Sequence, residues 1–175
     1  MFSNPRANVA DFGLIPGMIV ADFGAGVGAY SLEMARVVGD GGKIYAIEVQ
    51  KDLLDRLAAE ARNQHLFNLE VVWGNVEKPG GTKLKDGAVQ VVLLANVLFQ
   101  ADAKYSLVLE ARRILRRGGR LILIDWDGSF GGIGPHPEQV VTKDEAKRIF
   151  AEAGLSCQSE FVAGEHHYGL IFVKQ

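Results

Sequence analysis

Residues 21–31 read ADFGAGVGAYS, and this segment decides the fold. An apolar run of strand length, 18–23, ends in Gly24, Gly26 and Gly28, and an amphipathic helical pattern over 31–38 follows at once. A strand that passes into a helix through a glycine loop presents bare backbone N–H groups and a helix N-terminus to a ligand. It also opens a strand–helix unit, and the chain goes on to repeat that unit.

Outward from the loop, residues 43–49 (KIYAIEV) form a second strand. Residues 52–64 follow as a helix, with Leu53, Leu54, Leu57 and Ala61 on one face. Residues 69–73 are a third strand. Residues 89–95 (VQVVLLA) are a fourth, nearly all apolar, as a strand covered on both faces must be. A helix over 105–115, stopped by Gly118-Gly119, leads to a fifth strand at 120–126 (RLILIDW). Thr142 with Glu145 three residues on predicts a capping box for a helix running to about Ala153. Two last runs, 155–162 and 167–174, are so closely linked that they can only pair antiparallel. The pattern predicts an α/β fold: a Rossmann-like, doubly wound, seven-stranded sheet, mostly parallel with an antiparallel last strand. Residues 1–175 read as a single domain.

Composition narrows the function. The chain has 175 residues, 48% of them hydrophobic and 23% charged, which suits one globular core and excludes a disordered chain. Glycine is in excess, 21 residues without a triplet period, which points to tight turns or close backbone approach to a ligand. Nineteen basic against 21 acidic side chains leave a formal net charge of −2, so no global field draws the chain to nucleic acid or anionic lipid. A lone cysteine, Cys157, forms no internal disulfide and suits a reducing compartment. Apolar runs of about ten residues are too short to span a bilayer, and residues 1–10 lack a signal-peptide pattern. A cytoplasmic protein without a membrane span is expected.

The loop fits two cofactors. Gly24-Ala25-Gly26-Val27-Gly28-Ala29 satisfies the dinucleotide fingerprint, so an NAD-dependent oxidoreductase is one reading. Asp22, two residues before Gly24, would repel a pyrophosphate and attract the ammonium of an amino-acid-like cofactor such as S-adenosylmethionine. Glu48 closes the second strand, where a carboxylate accepts hydrogen bonds from ribose hydroxyls of either cofactor. After the third strand, Asn75 offers an amide to an adenine edge and Val76 a packing surface. After the fourth, Asn96 faces the sulfonium end or caps the next turn.

Together these segments resemble the class I S-adenosylmethionine-dependent methyltransferases, in particular the small ubiquinone/menaquinone-biosynthesis type. VADFGAGVGAYSLEMA is similar to that family's first motif, YAIEVQ to its acidic second, GNVEKP to its third and VVLLANVLFQ to its fourth-strand motif. LRRGGRLILIDW is similar to the helix–Gly-Gly–strand segment that follows. The third motif commonly carries Asp where this chain has Asn75. The resemblance implies S-adenosyl-L-methionine as cofactor. It assigns Asp22, Gly24, Ala25, Gly26, Gly28, Tyr30, Glu48, Val49, Asn75, Val76 and Asn96 to its site, and a small-molecule or lipid-like methyl acceptor to the protein. An RNA or protein methyltransferase and a non-catalytic cofactor-binding module are the alternatives.

Acceptor chemistry is less legible. Loops after the later strands carry His136 and, at the final turn, His167 and Tyr168, the candidates to touch the acceptor. His167 and Tyr168 are adjacent and point to opposite faces of a strand. Glu165-His166-His167 cannot converge on one ion from regular backbone, so no metal is assigned. The basic run Arg112, Arg113, Arg116, Arg117 and Arg120 ends a helix on the edge away from the cofactor, so nucleic acid is a minor reading. Residues 1–14, with Phe2, Val9, Phe12 and Leu14, are expected to lie over the cofactor as a lid or to pack on the sheet. So short a segment leaves the acceptor pocket open or completed by another chain, as in a homodimer.

Overall fold

The structure, a computed structural model, describes residues 4–175. Seven strands form one sheet in the order β3-β2-β1-β4-β5-β7-β6. They are β1 (Ile19–Phe23), β2 (Lys43–Glu48), β3 (Leu69–Trp73), β4 (Val89–Ala95), β5 (Leu115–Trp126), β6 (Leu155–Gly164) and β7 (His167–Lys174). Strands β1 to β5 pair in parallel; β7 runs antiparallel to both β5 and β6. This is the doubly wound sheet with an antiparallel last strand that the sequence predicts. The order reverses at β1, which lies between β2 and β4 and opens a crevice at their carboxyl ends.

Five helices cover the faces: α1 (Pro5–Asp11), α2 (Ala29–Val38), α3 (Lys51–Asn63), α4 (Lys104–Ile114) and α5 (Lys143–Glu152). One face buries Leu107, Ala111 and Ile114 of α4 and Phe150 of α5 against Val92, Leu94, Leu123 and Phe172 of the sheet. The other buries Met34, Ala35 and Val38 of α2 and Val9 of α1 against Val20, Ile44, Val91 and Ile122. Strand β4 is therefore buried on both sides, which is why its sequence shows no alternation.

The N-terminal segment packs on the sheet. Phe12 is fully buried, stacks on Tyr30 with ring centroids 6.1 Å apart and meets the edge of Phe161 at the same distance. Phe2, the first residue of the proposed lid pattern, lies outside the described residues. No residue of α1 lines the cavity at the carboxyl edge of β2 and β3.

Two local expectations change. Strand β5 begins at Leu115, five residues early: Gly118 and Gly119, read as a helix stop, lie inside the strand. A side chain at Gly119 would press on the carbonyl oxygens of Arg116 and Gln90, so glycine lets β5 run on through its own bulge, where Leu115 to Arg120 lies against only Val89 to Val91 of β4. Thr142 does cap α5, its Oγ1 accepting the Glu145 N–H at 3.3 Å, but only the Thr142 half of the predicted capping box is formed.

Candidate cofactor site

The carboxyl edge of β1, β2, β3 and β4 carries a cavity of about 260 Å³. Of the residues predicted for the cofactor, Gly24, Glu48, Val49, Asn75 and Val76 line it together. Ile47, Gln50, Gly74, Glu77, Val97, Gln100 and Ala101 complete the wall; sequence reasoning named none of them. The last three follow Asn96 within a few residues, so the fourth-strand motif was their signal.

Glu48 organises the site. Its Oε2 accepts the Gly26 N–H at 3.1 Å, and its Oε1 accepts the N–H groups of Val49 and Gln50 at 2.8 and 3.1 Å. The carboxylate is nearly buried yet faces the cavity, so one side chain fixes the loop tip and presents an acceptor. Asn75 uses its Oδ1 to accept the Glu77 N–H at 2.9 Å. Its amide N–H₂ is a further donor at a residue that lines the cavity.

The glycines of the loop divide by role. All three hold positive φ: 66° at Gly24, 55° at Gly26 and 84° at Gly28. A side chain on Gly24 would meet Val97 at 2.7 Å, and one on Gly28 would collide with Leu57 of α3. Those two positions serve packing. Gly26 has nothing within 4 Å in that direction, so its bare backbone faces open space where a ligand can lie.

Asp22 lies beneath the loop. It is buried, and Ser31 Oγ in the first turn of α2 donates to its Oδ2 at 2.6 Å. Burial, helped by the nearby Glu48 charge and opposed by the Ser31 bond, pushes its pKa up to about 7. A neighbouring cation would restore the charge. Asn96 sits in the left-handed region at φ 59°, and its buried Oδ1 has no hydrogen-bond partner among the described residues. An orphaned acceptor of this kind calls for a donor that the chain does not supply. Asp125, at the end of β5, accepts the N–H groups of Phe99 and Trp126 at 3.0 and 2.8 Å, and burial raises its pKa to about 7 as well. It escaped the sequence reading because nothing in RLILIDW marks it as more than a strand end.

Tyr30 is placed away from the cavity. Its hydroxyl accepts an N–H from Asn8 at 2.9 Å, and its ring lies in the core beneath α1. The adjacent helix position, Ser31, touches Asp22 at the end of β1.

The three acceptor candidates are not brought together. His136 is exposed on the loop after β5. The Tyr168 hydroxyl is buried among α5 residues and donates to the Val141 carbonyl at 2.8 Å; burial, with the charge of Asp125, drives its pKa upward. His167 projects from the other face of β7. It is 5% exposed, its ring lies 4.2 Å from that of Trp126, and neither ring nitrogen has a hydrogen-bond partner among the described residues. Burial lowers its pKa, so the imidazole is neutral near pH 7. The basic run is partly spent on structure: Arg113 pairs with Glu110 and Asp86, and Arg120 donates to the Gly13 carbonyl.

Known proteins share this fold and part of this sequence. A methyltransferase from Aquifex aeolicus, described as dependent on S-adenosylmethionine, superposes with a TM-score of 0.90 at 27% identity, over 99% of this chain and 91% of that one. The ubiquinone/menaquinone biosynthesis C-methyltransferase of Hahella chejuensis is 28% identical over 69% of this chain and 48% of its own length. The arsenite methyltransferase of Halobacterium salinarum is 27% identical over 70% of this chain and 30% of its own. The chain thus spans about half the length, or less, of these curated relatives. Residues 21–123, from the glycine loop to β5, match the methyltransferase domain family, and the chain belongs to that family.

Proposed function

We propose that the chain is a methyltransferase that binds S-adenosylmethionine in this cavity and methylates a small-molecule or lipid-like acceptor. The observation that carries the reading is the complementary set at one edge. Glu48 offers an acceptor for ribose hydroxyls, and Asn75 and Val76 offer an amide and an apolar surface for adenine. Gly26 offers open backbone, and the orphaned Asn96 Oδ1 and buried Asp22 await a donor or cation. The residues present fit the group, and relatives named for ubiquinone/menaquinone biosynthesis and for arsenite support a small acceptor.

When bound, the cofactor supplies an electrophilic methyl on a sulfonium whose leaving group is neutral. The chain's share is therefore to align and to exclude water. Asp22, ionised against an ammonium, and Asn96 would fix the amino-acid end. Glu48, anchored by three N–H groups, would fix the ribose. A base is needed only for an acceptor whose proton has a high pKa. His167, neutral and unpartnered, is the side chain suited to accept that proton; the tied hydroxyl of Tyr168 is not. A second copy of the chain closing the acceptor side belongs to the same reading, and sedimentation of the isolated protein tests it.

Calorimetry with S-adenosylmethionine and S-adenosylhomocysteine tests the cofactor, with micromolar binding expected. A thermal-shift comparison with NADH separates the oxidoreductase reading. A labelled-methyl assay on extract fractionated into RNA, protein and small molecules then tests the acceptor class. Label in the small-molecule fraction is expected, and label confined to RNA or protein overturns it.

A further inference from the structure

Beside the cofactor cavity lies a second groove of about 410 Å³, lined by Val49, Trp73, Gly74, Asn75, Lys78, Gly81 and Lys83. It shares Val49, Gly74 and Asn75 with the cavity. Trp73 ends β3 with its ring 53% exposed, and its Nε1–H donates to the Val49 carbonyl at 3.0 Å, which fixes the indole plane. Lys51 Nζ lies 4.3 Å from the ring centroid and Lys83 Nζ 5.1 Å. Both are within cation–π range.

Three features make this a built site and not a chance patch. First, no carboxylate lines the groove, and among the described residues Lys51, Lys78 and Lys83 form no salt bridge. Exposed lysines usually find an acid or dangle; here Lys51 and Lys83 lie against one indole ring, and Lys78 lines the groove beside it. Second, the loop that carries Lys78 and Lys83 is rigidly held. Glu110, buried under it, accepts the N–H groups of Gly80 and Thr82 and the Thr82 hydroxyl, and pairs with Arg113. Third, the floor is backbone against backbone: a side chain on Gly74 would collide with the Gly81 carbonyl, and one on Gly81 with that of Asn75. Lys83 itself is held at φ 60°, a conformation few L-residues adopt.

Unpaired cations around an exposed indole match a ligand that has a ring and negative charge. The volume suits a mononucleotide-sized molecule. A nucleic-acid strand would need a track of cations beyond the groove, and Arg113, under the same loop, is spent on Glu110, Asp86 and the Leu84 carbonyl. We propose that this groove binds a small phosphorylated aromatic anion of the nucleoside monophosphate class, next to the cofactor cavity and alongside a bound cofactor.

The test uses the full chain. Trp73 and Trp126 are its two tryptophans, so a Trp126→Phe background leaves Trp73 as the sole indole emitter. Emission is titrated with AMP, UMP, adenosine, inorganic phosphate and a single-stranded RNA dodecamer, with and without saturating S-adenosylhomocysteine. AMP and UMP are expected to give saturable changes that persist with S-adenosylhomocysteine, at least tenfold tighter than adenosine or phosphate. Lys51→Ala and Lys83→Gln are each expected to weaken nucleotide binding by at least fivefold with little change in melting temperature. Several results overturn the proposal: no saturable nucleotide response, a response abolished by S-adenosylhomocysteine, equal affinity for adenosine, no effect of either lysine change, or RNA binding more than tenfold tighter than AMP. Calorimetry with S-adenosylhomocysteine alone reports on the cofactor reading, so the two proposals fail separately.

Discussion

The Gly26 N–H donates to Glu48 Oε2 at 3.1 Å, so the tip of the loop after β1 is tied to the end of β2. With Val49 and Gln50 on the other oxygen, one carboxylate satisfies three backbone donors and still borders the cavity. Glu48→Ala is expected to weaken S-adenosylhomocysteine binding more than tenfold by calorimetry. It should also cost about 1–3 kcal/mol of stability, because partly buried N–H groups lose their acceptor. Glu48→Gln keeps one acceptor oxygen and should fall between the two proteins. Wild-type affinity in the alanine variant would remove Glu48 from the site.

Gly26 and Gly28 should separate binding from folding. Alanine at Gly28 meets Leu57 and adopts φ 84°, so a loss of about 2–4 kcal/mol is expected, as overpacking and strain combine. Alanine at Gly26 meets nothing and bears only the left-handed strain, about 1 kcal/mol. It nevertheless puts a methyl where the ligand would lie, and cofactor affinity should drop at least tenfold while the fold holds. Melting curves and calorimetry on the two variants check this. Equal affinity for Gly26→Ala and wild type would move the ligand off the loop.

Asp22 predicts how binding depends on pH. Its ordinary value is 3.8 and burial raises it to about 7 in the fold. The folded state thus holds the proton more tightly than the unfolded chain. That contribution to stability is full below about pH 4 and is lost as pH rises to 7. An ammonium ligand selects the ionised form, so affinity for S-adenosylhomocysteine should be about tenfold higher at pH 8 than at pH 6. Asp22→Asn should flatten both profiles. Asp125, also raised to about 7, adds a similar stability slope, and Asp125→Asn isolates its part.

The Glu110 network should dominate acid stability. Arg113 and three donors from Gly80 and Thr82 hold its carboxyl down at about 2, against an ordinary 4.5. Its contribution is present above pH 4.5 and is lost as pH falls toward 2. Glu110→Ala leaves a half-buried guanidinium with the exposed Asp86 carboxylate, the Thr82 hydroxyl and the Leu84 carbonyl, and a loss of about 3 kcal/mol at pH 7 is expected by urea denaturation. A loss under 1 kcal/mol would show that the pair is replaceable.

Periodicity and turn chemistry were enough for the order of elements, because strands covered on both faces and amphipathic helices are local signals. ADFGAGVGAYS placed the crevice for the same reason. What stayed hidden is non-local. Gly28 is glycine because Leu57, far along the chain, packs on it. Tyr30 turns to the core because Asn8 and Phe12 meet it there. The groove at Trp73 needs Lys51 and Lys83 from two different segments. No window of sequence contains such pairs, and Gly118-Gly119 shows that even a local stop signal yields when a strand partner fits.

His167 is the sharpest case of a side chain at odds with its surroundings. Its ring nitrogens are buried without partners against Trp126, an arrangement that costs about 1–3 kcal/mol. Burial lowers its pKa below 6.5, so stability present above that pH is lost as pH falls and the ring is forced to ionise. His167→Phe keeps a ring on Trp126 and removes both orphans, so its melting temperature should rise and its loss of stability between pH 6.5 and 5 should shrink. If the imidazole contacts the acceptor, the same variant should lose at least tenfold in methyl transfer to the small-molecule fraction while S-adenosylhomocysteine affinity is unchanged. A more stable protein with undiminished transfer would leave His167 a packing residue, whereas stability gained at the expense of transfer is what a retained functional group predicts.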